Sequence, residues 1–226
     1  MDEQQVAKCI SGEKRRRVMF LVGCLITISL LNVFVYCFVH LNKDTIEDKT
    51  SYLFNHGGGW IRIYERFHVG YDFEVSMTIH PLSESGLLLG IRGKHDYLFL
   101  EMVDCNLVFS VENGRGPIRT IFDSNKNVSL CDGKSHYVRA IKTKNVVILS
   151  VDDHSTNPGI GIPGISVTNT NNGLFIGGHP RQDSLKTFSK KSTRFIGCIY
   201  NLVIENSPIV LENVNIRGNV SLNVCL

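Results

Sequence analysis

LCDGKSHYV (130–138) is followed, in fixed order, by VVILSVDD (146–153), GLFIGG (173–178), RFIGCIYNL (194–202) and a penultimate Cys225. Most of these pieces couple a short apolar run to a turn device: Asp132-Gly133, Asp152-Asp153, Gly177-Gly178. Working outward, the same texture continues upstream. In YDFEVSMTI (71–79) the residues Phe73, Val75, Met77 and Ile79 fall on one face, with Glu74, Ser76 and Thr78 on the other. Period two is the mark of a strand, because successive side chains on extended backbone point to opposite faces. YLFLEMV (97–103), NLVFSVE (106–112), PIRTIF (117–122) and SHYVRAIKT (135–143) read alike, joined by turns rich in Asp, Asn and Gly. About a dozen short strands with no helical spacer predict an all-β, antiparallel sandwich. The segments 154–172 and 181–193 read as long loops, and loops on a rigid scaffold are where binding residues concentrate.

The N-terminal quarter has a different character. From Val18 to Asn42 no residue carries a formal charge, and most are Leu, Ile, Val, Phe or Cys. A helix of about 20 such residues spans a bilayer core, whereas the apolar region of a cleaved signal peptide is usually about 7–15 residues. GEKRRR (12–17) places the basic flank on the N-terminal side, which orients that side to the cytosol. The expected organisation is a cytoplasmic tail (1–17), a transmembrane signal-anchor (18–41), a polar stalk (42–50) and one exported domain (51–226). This is a single-pass type II arrangement with its C-terminal domain extracellular or lumenal. Two sequons, Asn127-Val128-Ser129 and Asn219-Val220-Ser221, are usable only in the secretory lumen and agree with it. So do Cys105, Cys131, Cys198 and Cys225, an even number beyond the span in an oxidising compartment.

A formal charge of +3 on 226 residues is too small to point to nucleic acid. Catalytic readings fail on their parts. His56-Gly57-Gly58-Gly59 has the look of a lipase oxyanion loop, yet no G-x-S-x-G elbow accompanies it. A glycosidase needs two carboxylates facing one cleft, and Glu101 and Asp104, three apart on a strand, point to opposite faces. The eight histidines show no metal-ligand spacing, and His136 reads as a satisfied, half-buried residue.

Taken together, SYLFNHGGGW (51–60), FHVGYDFEVSMTI (67–79), ESGLLLGI, DYLFLEM, LVFSVENGRGPI, LCDGKSHYV, FIGCIYNL and the terminal NVCL resemble a laminin G-like module in order and spacing. The resemblance is strongest to the last such module of laminin α chains and covers Ser51 to Leu226. LCDGKSHYV departs from the family's pattern in carrying Ser135 where Trp is usual. The resemblance implies a two-sheet jelly roll with a first strand, then a Gly-rich turn. It also implies adhesion or receptor binding, and it selects Cys198–Cys225 from the three connectivities, with Cys105–Cys131 as the accompanying pair.

Modules of this kind hold a calcium ion at the sandwich rim, which by resemblance places ligands at Asp96 and at Asn169, with carbonyls near Asn113 and Val167. Asn169 stands where an acid is expected, which removes a charge from a site whose affinity follows charge count and points to millimolar binding of Ca²⁺. A second candidate is basic: Arg181, Lys186, Lys190, Lys191 and Arg194 lie within fourteen residues, with Asp183 as the one acid among them. Lys142 and Lys144, on an expected edge hairpin, join that patch. Such a patch suits a sulfated or acidic glycan. The function expected is adhesion or recognition of a glycan, glycoprotein or matrix partner, by a rim formed from 95–96, 113–116, 167–172 and 181–194. The alternative is a structural or assembly partner of another membrane or matrix protein, using a sheet face without glycan or calcium.

Overall fold

Phe73, Val75, Met77 and Ile79 are all buried, and the residues between them are not. That alternation is the building rule of the domain. The computed structural model describes residues 51–124, 128–181, 193–209 and 214–225. The span at 18–41, the stalk, the sequon Asn127 and the basic residues Lys186, Lys190 and Lys191 lie outside the described residues.

The strands are β1 (Ser51–Phe67), β2 (Asp72–Pro81), β3 (Gly86–Arg92), β4 (Tyr97–Val103), β5 (Asn106–Glu112), β6 (Pro117–Phe122) and β7 (His136–Thr143). They continue as β8 (Val146–Val151), β9 (His154–Ser155), β10 (Gly159–Ile160), β11 (Asn172–Ile176), β12 (Gly197–Ile204), β13 (Ser207–Pro208) and β14 (Asn215–Leu222). Their order in space is β10-β8-β7-β2-β12-β1-β11-β3-β4-β5-β6, with β14 beside β1 and every pairing antiparallel. The ends of this path meet, β6 packing on β8 and β10, so the sheet folds into a sandwich around one core. Among the described residues there is no α-helix.

β1 stitches the two halves. Residues 51–54 pair with β12, and from Ile61 onward the same strand pairs with β11. The crossing falls at a register shift between Phe54 and Gly59 on the β14 side. The glycines at 57–59, expected as a turn, are thus a bulge inside a 17-residue strand. A bulge bends a strand without ending it, as passage between layers requires.

Simple alternation fails at β3 and β4, which are buried along almost their whole length on both faces. Leu88, Leu89, Ile91, Leu98, Leu100 and Met102 face the core, while Leu87, Tyr97 and Phe99 form a separate apolar cluster on the outer face. β3 is also tied to residues far away in sequence: Gly177 N–H donates to Leu88 O, and Leu87 N–H donates to Thr193 O. Local periodicity carries no trace of such contacts.

Two disulfides close the domain. Cys105–Cys131 links the β4–β5 turn to the LCDG corner, and Cys198–Cys225 ties the C-terminus to β12. At that corner His136 is fully buried rather than half-buried, its Nδ1 3.0 Å from Asp152 Oδ2 and its Nε2 3.1 Å from Asp132 Oδ1. The Lys134 N–H and then His136 hold the Asp132 carboxyl below its usual range. Ser135, in the Trp position, is exposed and hydrogen-bonds Tyr200 and His80. The signature motif is therefore a structural corner.

Candidate functional site

The opposite end of the sandwich from that corner is a rim of connections: 68–71, 93–96, 113–116, 144–145 and 161–171. Its keystone is the 166–170 segment, which touches nearly every other loop there. Thr168 exchanges backbone hydrogen bonds with Gly70 at 2.9 and 3.1 Å. Thr170 Oγ1 accepts from Val69 N–H at 2.9 Å and donates to Phe67 O at 3.1 Å. On the other flank, Asn113 Nδ2 donates to Ile165 O at 2.9 Å.

Lys142 supplies the strongest of these ties. Its Nζ donates to Gly70 O at 2.9 Å, Tyr71 O at 2.6 Å and Ser166 O at 2.9 Å. The residue is 1% exposed, on a strand flanked by β2 and β8, so it is no surface cation on an edge hairpin and does not extend the basic patch. Burial brings its amine down to about 8, against the pull of Asp72.

Asp96 and Asn169 are brought together as expected, but differently employed. Asp96 is nearly buried, and its Oδ2 accepts a 2.6 Å hydrogen bond from the Asn169 backbone N–H. Gly93 makes this approach possible: a Cβ there would stand 2.0 Å from Asn169 O. Gly93 N–H also closes the turn onto Asp96 O at 2.7 Å. For a calcium ion, this leaves Asp96 Oδ1, the exposed Asn169 amide and loop carbonyls, with one formal negative charge in total. Three rim carbonyls are already held by Lys142, and Thr168 Oγ1 is buried without a hydrogen-bond partner. Among the described residues no three His, Cys, Asp or Glu converge as metal ligands. Calcium affinity follows ligand charge, so this donor set fits a weak site in the millimolar range and not a tight one.

Beside this corner lies a cleft of about 470 Å³ lined by Arg92, Gly93, Asn172, Gly173, Phe175, His179, Pro180 and Arg181. Arg92 ends β3, and Phe175 stands on the outer face of β11 with the Trp60 ring edge-on at 5.4 Å. After Gly177 (φ +75°) the chain turns out, and His179 packs edge-on to Phe175 at 4.7 Å. Arg181 N–H donates to His179 Nδ1 at 3.1 Å, which leaves the neutral imidazole's proton on Nε2. Burial first, then the Arg92 and Arg181 charges, push the His179 imidazole down to about 4.

The basic cluster of the sequence is divided by the structure. Arg181 lines the cleft. Arg194 does not; it bridges Leu87 and lies over Gly58, at the β1 bulge. Arg92, Phe175 and His179 escaped sequence reasoning, since strand ends and aromatic residues look like scaffold. The one available signal was His179-Pro180 directly after Gly177-Gly178, where a chain leaves a sheet.

The Laminin G domain family model matches residues 79–207. Drosophila melanogaster laminin subunit alpha is 36% identical over 176 residues, 76% of this chain, and human laminin subunit alpha-1 is 32% identical over 156 residues, 68% of this chain. The chain spans 5% of the length of each of these relatives. Among solved structures, mouse laminin alpha1 chain, domains LG4-5, superposes with a TM-score of 0.59 at 27% identity, covering 74% of this chain and 47% of that one. A Limulus polyphemus SAP-like pentraxin reaches the same TM-score at 8% identity, a likeness of fold alone. Strand order, the two disulfides, the family model and the laminin relatives agree, and the chain belongs to the laminin G domain family.

Proposed function

We propose that this protein is a membrane-anchored recognition module, held by the 18–41 span with its laminin G domain outside the cytosol, that binds a glycan or a glycosylated partner. The observation that carries the reading is the pinned rim beside a cationic cleft, Lys142 and Asp96 fixing the loops and Arg92 and Arg181 supplying the charge. Rigid loops lose little conformational freedom on binding, which favours recognition. Arg181 and any weak calcium at Asp96 and Asn169 belong to this reading as contributors at the rim.

The oxidised cysteine pairs support an exported location. Asn219 is exposed and uses one amide hydrogen on His56 O at 2.8 Å, leaving the other for a sugar. The test is a glycan array probed with the detergent-purified full chain, together with a glycosidase mass shift on the cellular protein. Binding to acidic or complex glycans and a shift from Asn127 or Asn219 are expected. An inert array together with an unmodified, cytosol-exposed C-terminus would refute the proposal.

A further inference from the structure

We propose that β14 is a dimer seam: its free edge pairs antiparallel with the same strand of a second copy of this chain, about a two-fold axis at Gly218. The inference is independent of what the rim binds. Three observations carry it.

The first is an open edge. β1 takes β12 and then β11 on one side and β14 on the other, and among the described residues no strand follows β14. The ends of the main strand path differ, since β6 packs there on β8 and β10. β14 is eight residues long, without proline and with Arg217 as its single charge. Such an edge presents unpaired N–H and C=O groups to any matching strand, and proteins ordinarily guard it with charges, bulges or proline.

The second is a sequence that matches itself. VNIRGNVSL (214–222) reads alike in chemical type from either end, with Gly218 at its centre. The register on β1 gives the faces. Ile216, Val220 and Leu222 stand beside the buried Ile61, Phe54 and Tyr52, whereas Asn215, Arg217 and Ser221 lie on the outer face. About an axis at Gly218, Ile216 meets the second copy's Val220, and Val214 its Leu222. On the outer face Asn215 meets Ser221, and Arg217 meets Asn219. Apolar groups then lie on apolar groups, hydrogen-bonding groups on their like, and no charge stands directly opposite its own sign. That self-complementarity is what an isologous contact requires, and a slip of one residue destroys it.

The third is core surface left uncovered at this edge. Leu222 is 37% exposed although its partner Tyr52 is fully buried, so the apolar face runs out past the last strand. In the pairing it is covered by the second copy's Val214.

Gly218 is no guard against this pairing. Its left-handed φ of +80° fits β14 to the β1 bulge, where a Cβ would stand 2.8 Å from Gly58 O. On the axis it meets only the other glycine. Asn219 turns its amide back to His56 O, so a sugar there leaves the edge clear.

The experiment measures the dimer fraction of the detergent-purified full chain by native mass spectrometry across a dilution series. Asn215→Glu/Ser221→Glu sets carboxylates directly opposite one another at both ends of the seam. It is expected to weaken the dimer about tenfold or more, and Asn215→Lys/Ser221→Lys to do the same. Mixed together, the two variants are expected to pair with each other, which also shows that both are folded. Ser221→Ala removes the sequon and the hydrogen bond from Asn55 without adding charge, and is expected to keep the dimer. Hydrogen exchange reads the seam without any variant: the amides of 215–222 are expected to lose protection as the wild-type dimer is diluted to monomer.

A wild-type chain that is monomeric at every concentration overturns the proposal, including where β14 is instead captured by a strand of a different protein. A dimer that survives both charge variants, with no preference for the mixed pair, has its seam elsewhere and overturns it too. Loss of the dimer in Ser221→Ala, or exchange in 215–222 that ignores dilution, does so independently.

Discussion

The Asp96 carboxylate is bonded to the backbone N–H of Asn169 at 2.6 Å, across 73 residues of sequence. An acid that the resemblance assigns to calcium thus already works as a loop staple. In Asp96→Ala the Asn169 N–H loses its partner at a nearly buried position, which costs about 1–3 kcal/mol. Denaturant unfolding without calcium is expected to show that loss in the full chain. A single remaining charge holds calcium in the millimolar range, so one millimolar calcium adds about 0.4 kcal/mol and shifts Tm by a degree or two. A rise of several degrees at micromolar calcium would show a richer ligand set and contradict this account.

Cys198 and Cys225 anchor β14, whose exposed face contributes little core. A closed loop of 27 residues restrains the unfolded chain by about 3.5 kcal/mol in the chain-entropy account. Cys198→Ala/Cys225→Ala is expected to lose that amount or somewhat less, with hydrogen exchange rising first along 215–222. Wild-type stability and exchange in the double variant would mean that pairing with β1 suffices to hold the strand.

What the sequence made legible follows from distance along the chain. The faces of β2, β6 and β8 could be read because each is a local alternation. The outer burial of Tyr97 and Phe99 could not, since alternation along a strand distinguishes its two faces but does not say that both are covered. Asp96 and Asn169 were located as neighbours, yet not their hydrogen bond. Lys142 was misjudged most. A lysine in HYVRAIKT looks like surface, and only the fold shows the three carbonyls that receive it. The cleft was illegible for the same reason, being assembled from the end of one strand and the exit of another.

Lys142 makes a pH signature. Its amine titrates near 8 when folded and near 10.5 when unfolded, so between those values the unfolded chain binds more protons. Stability therefore rises with pH across that window, by about 3 kcal/mol in full, as the cost of burying the charge is relieved. Lys142→Met strands the carbonyls of Gly70, Tyr71 and Ser166 and is expected to be less stable at every pH. The gap between wild type and variant is expected to widen from pH 8 to pH 10.5 in denaturant titrations. A constant gap would place the amine's titration in its ordinary range and remove the burial penalty.

His179 tests the cleft from inside. Its imidazole titrates near 4 when folded against 6.5 ordinarily, because burial and the charges of Arg92 and Arg181 oppose the proton. The unfolded chain then binds more protons between pH 6.5 and 4, so stability falls as pH drops through that interval. His179→Gln is expected to flatten that part of the profile. An anion seated between the arginines cancels the field that holds the proton off, and so raises the pH at which His179 titrates. Ring-proton NMR of the full chain, with and without an acidic oligosaccharide at saturation, reads this directly. An unchanged titration at full occupancy would put the anion elsewhere on the rim, because no bound charge in that cleft can avoid acting on the imidazole that Arg181 holds.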